Sequence, residues 1–159
     1  GVKHSETEWI LLTDMDHLIP EATLEHVVRR AWDISCAYKF QRVSEPDMSA
    51  YKPHPNSWLM SRRLFDEIGG YDERFAGFYG TDGDFRDRLV ARARIKMIKA
   101  PLVRVPRSVT PDASTTQYLR KQPEDKIAIE RIKRERNKLK YWRPLRGRFE
   151  YDIVFPARG

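Results

Sequence analysis

The longest unbroken apolar run in the chain is four residues, Trp9-Ile-Leu-Leu12, and it leads straight into Thr13-Asp14-Met15-Asp16. Four such residues make a short strand buried on both faces, the kind found inside layered sheets. A helix that crosses a membrane needs about 20, so the chain is confined to folds that bury short strands under amphipathic helices. Its 159 residues suit one domain, at roughly 150 residues each. Hydrophobic residues make up 40%, enough for a core and unlike a disordered chain. The single cysteine, Cys36, excludes an intramolecular disulfide and any zinc site built on cysteine pairs. No secretory signal pattern leads into the first strand. These features point to a soluble or at most membrane-peripheral protein of a reducing, cytoplasmic compartment.

The spacing of apolar residues predicts the elements. Residues 21–33 carry Leu24, Val27, Val28, Ala31 and Trp32 at helical intervals, an amphipathic helix opened by Pro20 and Glu21. Residues 37–43 alternate as a strand, and 44–56, with three prolines, read as a loop. Asn56 to Met60 suits a short strand. Ser61 is placed to cap a helix over 62–68, and Gly69-Gly70 to end it. Thr81 is placed to cap a helix running to about Ala93, with Phe85, Leu89 and Val90 inward. Residues 95–105 form one or two strands interrupted at Pro101, and a charged helix runs from Pro123 to about Lys140. The expected fold class is α/β, with a sheet too small to be complete.

Charge divides the chain. Residues 1–116 hold 17 basic and 17 acidic residues; residues 117–159 hold 13 and 6, the whole net excess of +7. That segment reads as a solvated basic helix and tail, docked by an apolar stripe of Ile127, Ile129, Ile132 and Leu139. A surface for an anionic glycan, lipid headgroup or nucleic acid is the sharper alternative. Arg143, Arg146 and Arg148 beside Trp142 and Phe149 would suit phosphate or base stacking; nucleic acid is the weaker reading.

Two acidic spots carry potential chemistry. Asp14 and Asp16 follow a buried strand, and ligands of open α/β sheets bind outside the carboxyl ends of strands. Such a pair suits a hard divalent cation shared with substrate phosphates, or simply a solvated turn. The second spot is Gly80-Thr-Asp-Gly-Asp-Phe85, where Asp82 opens a helix. Taken alone it is helix capping, but Ile68-Gly-Gly-Tyr-Asp72 and Phe75-Ala-Gly-Phe-Tyr-Gly80 build an aromatic, glycine-rich rim before it.

Glu8-Trp-Ile-Leu-Leu-Thr-Asp-Met-Asp16 is similar to the apolar strand and Asp-x-Asp of the family 2 glycosyltransferases. The stretch from Asn56 to Leu89, with its Gly-Gly-Tyr-Asp-Glu73 and Thr81-Asp-Gly-Asp84, resembles that family's later block. The resemblance implies a partial GT-A (Rossmann-like) mixed sheet flanked by helices over residues 1–116, the acceptor-side half of the domain. Residues 117–159 are a basic helical extension outside it. It implies metal-assisted, inverting transfer of a sugar from a nucleotide-sugar donor to a hydroxyl of a glycan or similar acceptor. Asp14 and Asp16 would bind the donor and a Mn²⁺ or Mg²⁺ ion, with Asp16 nearest the metal. Asp82 would be the general base and Asp84 its support. Trp58 and Tyr79 would line the sugar or acceptor pocket, and Arg88 would lie near the substrate. The family's Glu-Asp is Thr81-Asp82 here, and no histidine follows His54 to complete a metal site, which leaves His17 or His54 as substitutes or as packing residues. Only eight residues precede Trp9, fewer than a βαβ unit takes at about 30, so a missing segment or another chain is expected to supply the nucleotide site. The competing reading is a non-catalytic basic binding module on a truncated scaffold of this kind.

Overall fold

The computed structural model describes residues 2–14, 16–75, 78, 82–106, 108–109 and 123–138. Among them, six strands form one mixed sheet flanked by helices. The elements, in chain order, are β1 (Trp9–Leu12), β2 (His17–Leu18), α1 (Glu21–Arg29), β3 (Cys36–Ser44), β4 (Ser49–Tyr51), β5 (Trp58–Ser61), α2 (Arg62–Glu67), α3 (Asp82–Arg92), β6 (Arg94–Arg104) and α4 (Pro123–Asn137). The main path of the sheet is β1-β5-β3-β6-β2, with β4 paired to β3. Only β3 and β6 run parallel; the other pairings are antiparallel. Among the described residues no helix is long and apolar enough to cross a membrane.

Alternation along the strands supplies two cores. On β5, Trp58 and Met60 join Ile10, Leu64, Phe65, Phe85 and Leu89, on the face covered by α2 and α3. The intervening Leu59 joins Cys36, Tyr38, Phe40, Ile98 and Leu102 on the other face, where Val27 and Trp32 pack. Both faces of the central strands are therefore buried, which explains their unbroken apolar runs.

Local chemistry sets the joints. Ser61 ends β5 and caps α2: its Oγ accepts from Leu64 N at 3.1 Å and donates to Ile34 O at 3.1 Å. Gly69 and Gly70 follow α2 with φ of 81° and 64°, where side chains are strained. β6 is continuous through Pro101; the strain is taken by a register shift, Phe40 facing Ile98 while Gln41 faces Pro101.

Four sequence expectations are corrected. The proline-rich segment contains a strand, β4, because Ser49–Tyr51 folds back onto Arg42–Ser44 as a hairpin arm. α1 ends at Arg29 and buries its apolar stripe only in part: Val27 packs on the core, but Leu24 is 50% and Val28 74% exposed. Its buried residue is Thr23, whose hydroxyl donates to Pro101 O at 2.7 Å, so a hydrogen bond at the β6 irregularity orients the helix. Val90 is exposed, because α3 touches the sheet only along Phe85 and Leu89. On α4, Ile127 is 70% exposed, and the half-buried residues are Ala128, Ile129, Ile132, Lys133 and Arg136, a single helical face. Leu139, Trp142, Arg143, Arg146, Arg148, Phe149, Tyr79 and Thr81 lie outside the described residues.

Candidate functional site

The turn from β1 to β2 is held at both ends by the backbone. His17 N donates to Asp14 O at 3.3 Å, and Val105 N donates to Asp16 O at 2.9 Å. Because β2 pairs with the end of β6, Asp14 and Asp16 are fixed at the carboxyl end of β1.

Each carboxylate is met by one imidazole. His54 Nε2 lies 3.2 Å from Asp14 Oδ2, and His17 Nδ1 lies 2.7 Å from Asp16 Oδ1. The other nitrogen of each ring decides the tautomer. Arg42 NH1 is 3.1 Å from His17 Nε2. A guanidinium only donates, so Nε2 accepts and the proton sits on Nδ1, facing Asp16. The oxygen lies off the ring N–H axis, and the two atoms are buried against each other without another partner. Likewise Asn56 N donates to His54 Nδ1 at 3.3 Å, which leaves the proton on Nε2, facing Asp14. Burial lowers the pKa of both histidines; the carboxylates oppose it, and the Arg42 charge adds to it. The rings lie 4.9 Å apart. Asn56 Nδ2 also donates weakly to Asp14 Oδ1, at 3.4 Å.

A cleft of about 350 Å³ opens beside this turn, lined by Leu11, Leu12, Thr13, Asp14, Asn56 and Tyr71. Tyr71 is the link to the second acidic spot. Its ring stacks on Phe85 of α3, 4.3 Å between centroids and 19° between planes. Its hydroxyl is pushed up to about 12, by burial first and then by the negative charges of Asp82 and Asp14. The two carboxylates, 68 positions apart in the sequence, both contribute to that upward shift, and of the two Asp14 lines the cleft. Lys39 reports the same closeness from the basic side. It feels Arg86 of α3 and Arg42 of β3, and with burial as the main cause its pKa falls to about 8.

The structure sorts the candidate residues. Asp14 and Asp16 share the turn, and Asp82 is the half-buried first residue of α3. Asp84 is buried and engaged inside the protein: its Oδ2 accepts from Arg88 Nε at 3.1 Å, and its Oδ1 is bound by Arg136 NH1. Arg88 also donates to Ile68 O, so its guanidinium is committed to the fold rather than turned to a substrate. Trp58 does not line the cleft. It is 1% exposed, its Nε1 donates to Pro55 O at 2.7 Å, and Lys39 Nζ covers its ring at 4.0 Å. The cleft aromatic is Tyr71 instead, which was visible in the sequence only as one member of the rim. The sequence named His17 and His54 only as possible substitutes at a metal site; the pairing of His54 with Asp14 was hidden because it joins the end of β1 to the β4–β5 connection across 40 residues.

Among the described residues no group of three or more His, Cys, Asp or Glu side chains gathers to hold a metal ion. Both imidazole lone pairs are already accepting hydrogen bonds. The available donors are the carboxylate oxygens of Asp14 and Asp16, and that fits a hard cation bound through one or two carboxylates plus phosphate oxygens. The histidines fit the outer layer that orients ligating carboxylates.

The fold and site define a mixed α/β sheet with a cleft at a strand end, lined by the carboxylate of Asp14 and the ring of Tyr71. In comparisons with known proteins, the chain matches no family model and no curated protein.

Proposed function

We propose that this chain is the acceptor-side half of a GT-A glycosyltransferase resembling family 2. It moves a sugar from a nucleotide-sugar donor to a hydroxyl of a glycan or similar acceptor, in the cytoplasm or at a membrane surface. The observation that carries the reading is that Asp14 and Tyr71 line one cleft and that Tyr71 stacks on Phe85 of α3, the helix that Asp82 opens. One acidic spot is thereby available for the donor and the other for the acceptor.

Asp14 and Asp16 are the residues that would hold Mn²⁺ or Mg²⁺ with the donor diphosphate, and His54 and His17 lie against their carboxylates. When bound, the ion neutralises charge that builds on the departing nucleoside diphosphate. Asp82 takes the proton from the acceptor hydroxyl as that oxygen attacks the anomeric carbon. The bond from that carbon to the phosphate oxygen breaks, its electrons leave with the diphosphate, and the configuration inverts. Tyr71, immobilised on Phe85, forms the wall against which the sugar or acceptor rests. The nucleotide base would be read by a segment or chain other than the strands described here.

The test is calorimetric titration with a panel of UDP- and GDP-sugars, with and without Mn²⁺, together with turnover assays. Metal-dependent binding should vanish in Asp16→Ala. Asp82→Asn should bind donor normally while turnover falls by about 100-fold or more, the scale of a lost general base. A chain that ignores every nucleotide sugar yet binds DNA, RNA or an anionic glycan with steep salt dependence would instead be a basic binding module. The exposed basic residues Lys126, Arg131 and Arg134 of α4 favour that second reading.

A further inference from the structure

The basic segment after residue 117 has no part in the chemistry proposed above, yet it reaches the candidate site through one side chain. Asp84 has its carboxylate 4% exposed and divides it between two guanidinium groups. Arg88, one turn further along α3, takes Oδ2; Arg136, from the last turn of α4, takes Oδ1. Arg136 lies on the half-buried face of α4, with Ile129 and Ile132, so the contact is part of a docked surface. A second charged pair sits beside this one. Arg74 grips the buried Asp72 through Nε and NH2, the latter at 2.6 Å, and is also acted on by Asp84 and by Glu135, the neighbour of Arg136. Arg88 meanwhile holds Ile68 O, at the end of α2 just before Gly69-Gly70-Tyr71. Every link in this cluster therefore ends on α3's first turn or on the rim leading to Tyr71.

We infer that Arg136 is a positioning residue: by latching α4 onto Asp84 it holds the first turn of α3, and with it Asp82, in place. The part of this inference that concerns turnover rests on the transferase reading; the latch itself does not. A buried carboxylate that loses one of its two guanidinium donors keeps the other as counter-charge but leaves an oxygen without its hydrogen bond, a desolvation cost. The helix can relieve it by opening the turn that carries Asp84, which is the turn that begins with Asp82.

The experiment compares Arg136→Met, Arg136→Lys and, as a control on the exposed side of the same helix, Arg134→Met. Amide hydrogen exchange is followed at residues 86–88, whose N–H groups close onto the carbonyls of 82–84 in a helix. Arg136→Met should speed exchange there by about 10- to 100-fold, the range for one hydrogen bond to a charged group, relative to amides of β3. Arg136→Lys should recover most of the protection, and Arg134→Met should change nothing. In turnover assays Arg136→Met should lower kcat by about tenfold or more with the donor KM within about twofold, because only the transition state needs Asp82 in place. Unchanged exchange at 86–88 overturns the latch whatever the turnover. Faster exchange with unchanged kcat, in a protein that does transfer sugar, overturns the positioning role. Absence of transfer by the unaltered chain refutes the transferase reading alone, and exchange still decides the latch. Should Arg136→Met fail to fold, Arg136→Gln, which keeps a polar side chain but no charge, is followed in the same way, and the same fast exchange at 86–88 is expected; protected amides there overturn the latch.

Discussion

Replacing His54 by phenylalanine isolates what an imidazole does for Asp14. The ring and its 4.9 Å packing on His17 are kept, and the Nε2–H that lies 3.2 Å from Asp14 Oδ2 is removed. Asp14 then retains only the 3.4 Å contact from Asn56 Nδ2, too long to fix the carboxylate. The fold should tolerate the change. The lost acceptor for Asn56 N costs about 1 kcal/mol, and the neutral histidine removes no charge from the core. Donor binding should not tolerate it. Partners that orient metal-ligating groups are worth about 10- to 100-fold in affinity, and the expected loss falls in that range. The assay is calorimetric titration of a nucleotide sugar with and without Mn²⁺, beside a thermal melt of the same variant. The loss should appear only with Mn²⁺ present. Unchanged Mn²⁺-dependent affinity, or an equal loss without the ion, would refute the argument that His54 serves the cleft through Asp14.

Two further outcomes follow from the geometry. Lys39 titrates near 8 rather than the ordinary 10.5 because burial, Arg86 and Arg42 oppose its charge. Between those values the unfolded chain holds a proton that the folded chain lacks, so stability attributable to Lys39 rises with pH across that window. Denaturant unfolding of the unaltered protein and of Lys39→Met from pH 7 to pH 10.5 should show the difference moving in favour of lysine as pH rises; a constant difference refutes it. Leu89, 0% exposed between α3 and the sheet, should cost about 2–5 kcal/mol when cut to alanine, read as a lower denaturation midpoint at unchanged slope.

What the sequence disclosed follows from how local each signal was. The run Trp9–Leu12, the Ser61 cap and the Gly69-Gly70 stop depend on neighbours within a few residues, and each stands where its pattern placed it. The α1 stripe misled because periodicity reveals a face, not what covers it. A single buried hydroxyl, Thr23 on Pro101, outweighed Leu24 and Val28 in orienting that helix. β2 and β4 escaped notice because two- and three-residue strands have no periodicity to read; they exist through their partners on β6 and β3. The site divides the same way. Asp14, Asp16 and Asp82 were legible as acidic residues at element ends. The roles of His17, His54, Tyr71 and Arg136 arise only when distant segments meet.

The occupied lone pairs of the two imidazoles bear on which ion such a cleft would admit. Copper and zinc outcompete manganese and magnesium wherever nitrogen donors are free, by the general order of divalent affinities. Here Arg42 and the Asn56 amide have already claimed those nitrogens. A borderline or soft cation would have to break a buried guanidinium contact to gain one. A cation held through Asp14 and Asp16 would meet carboxylate oxygen, which would favour the harder, weaker-binding ions.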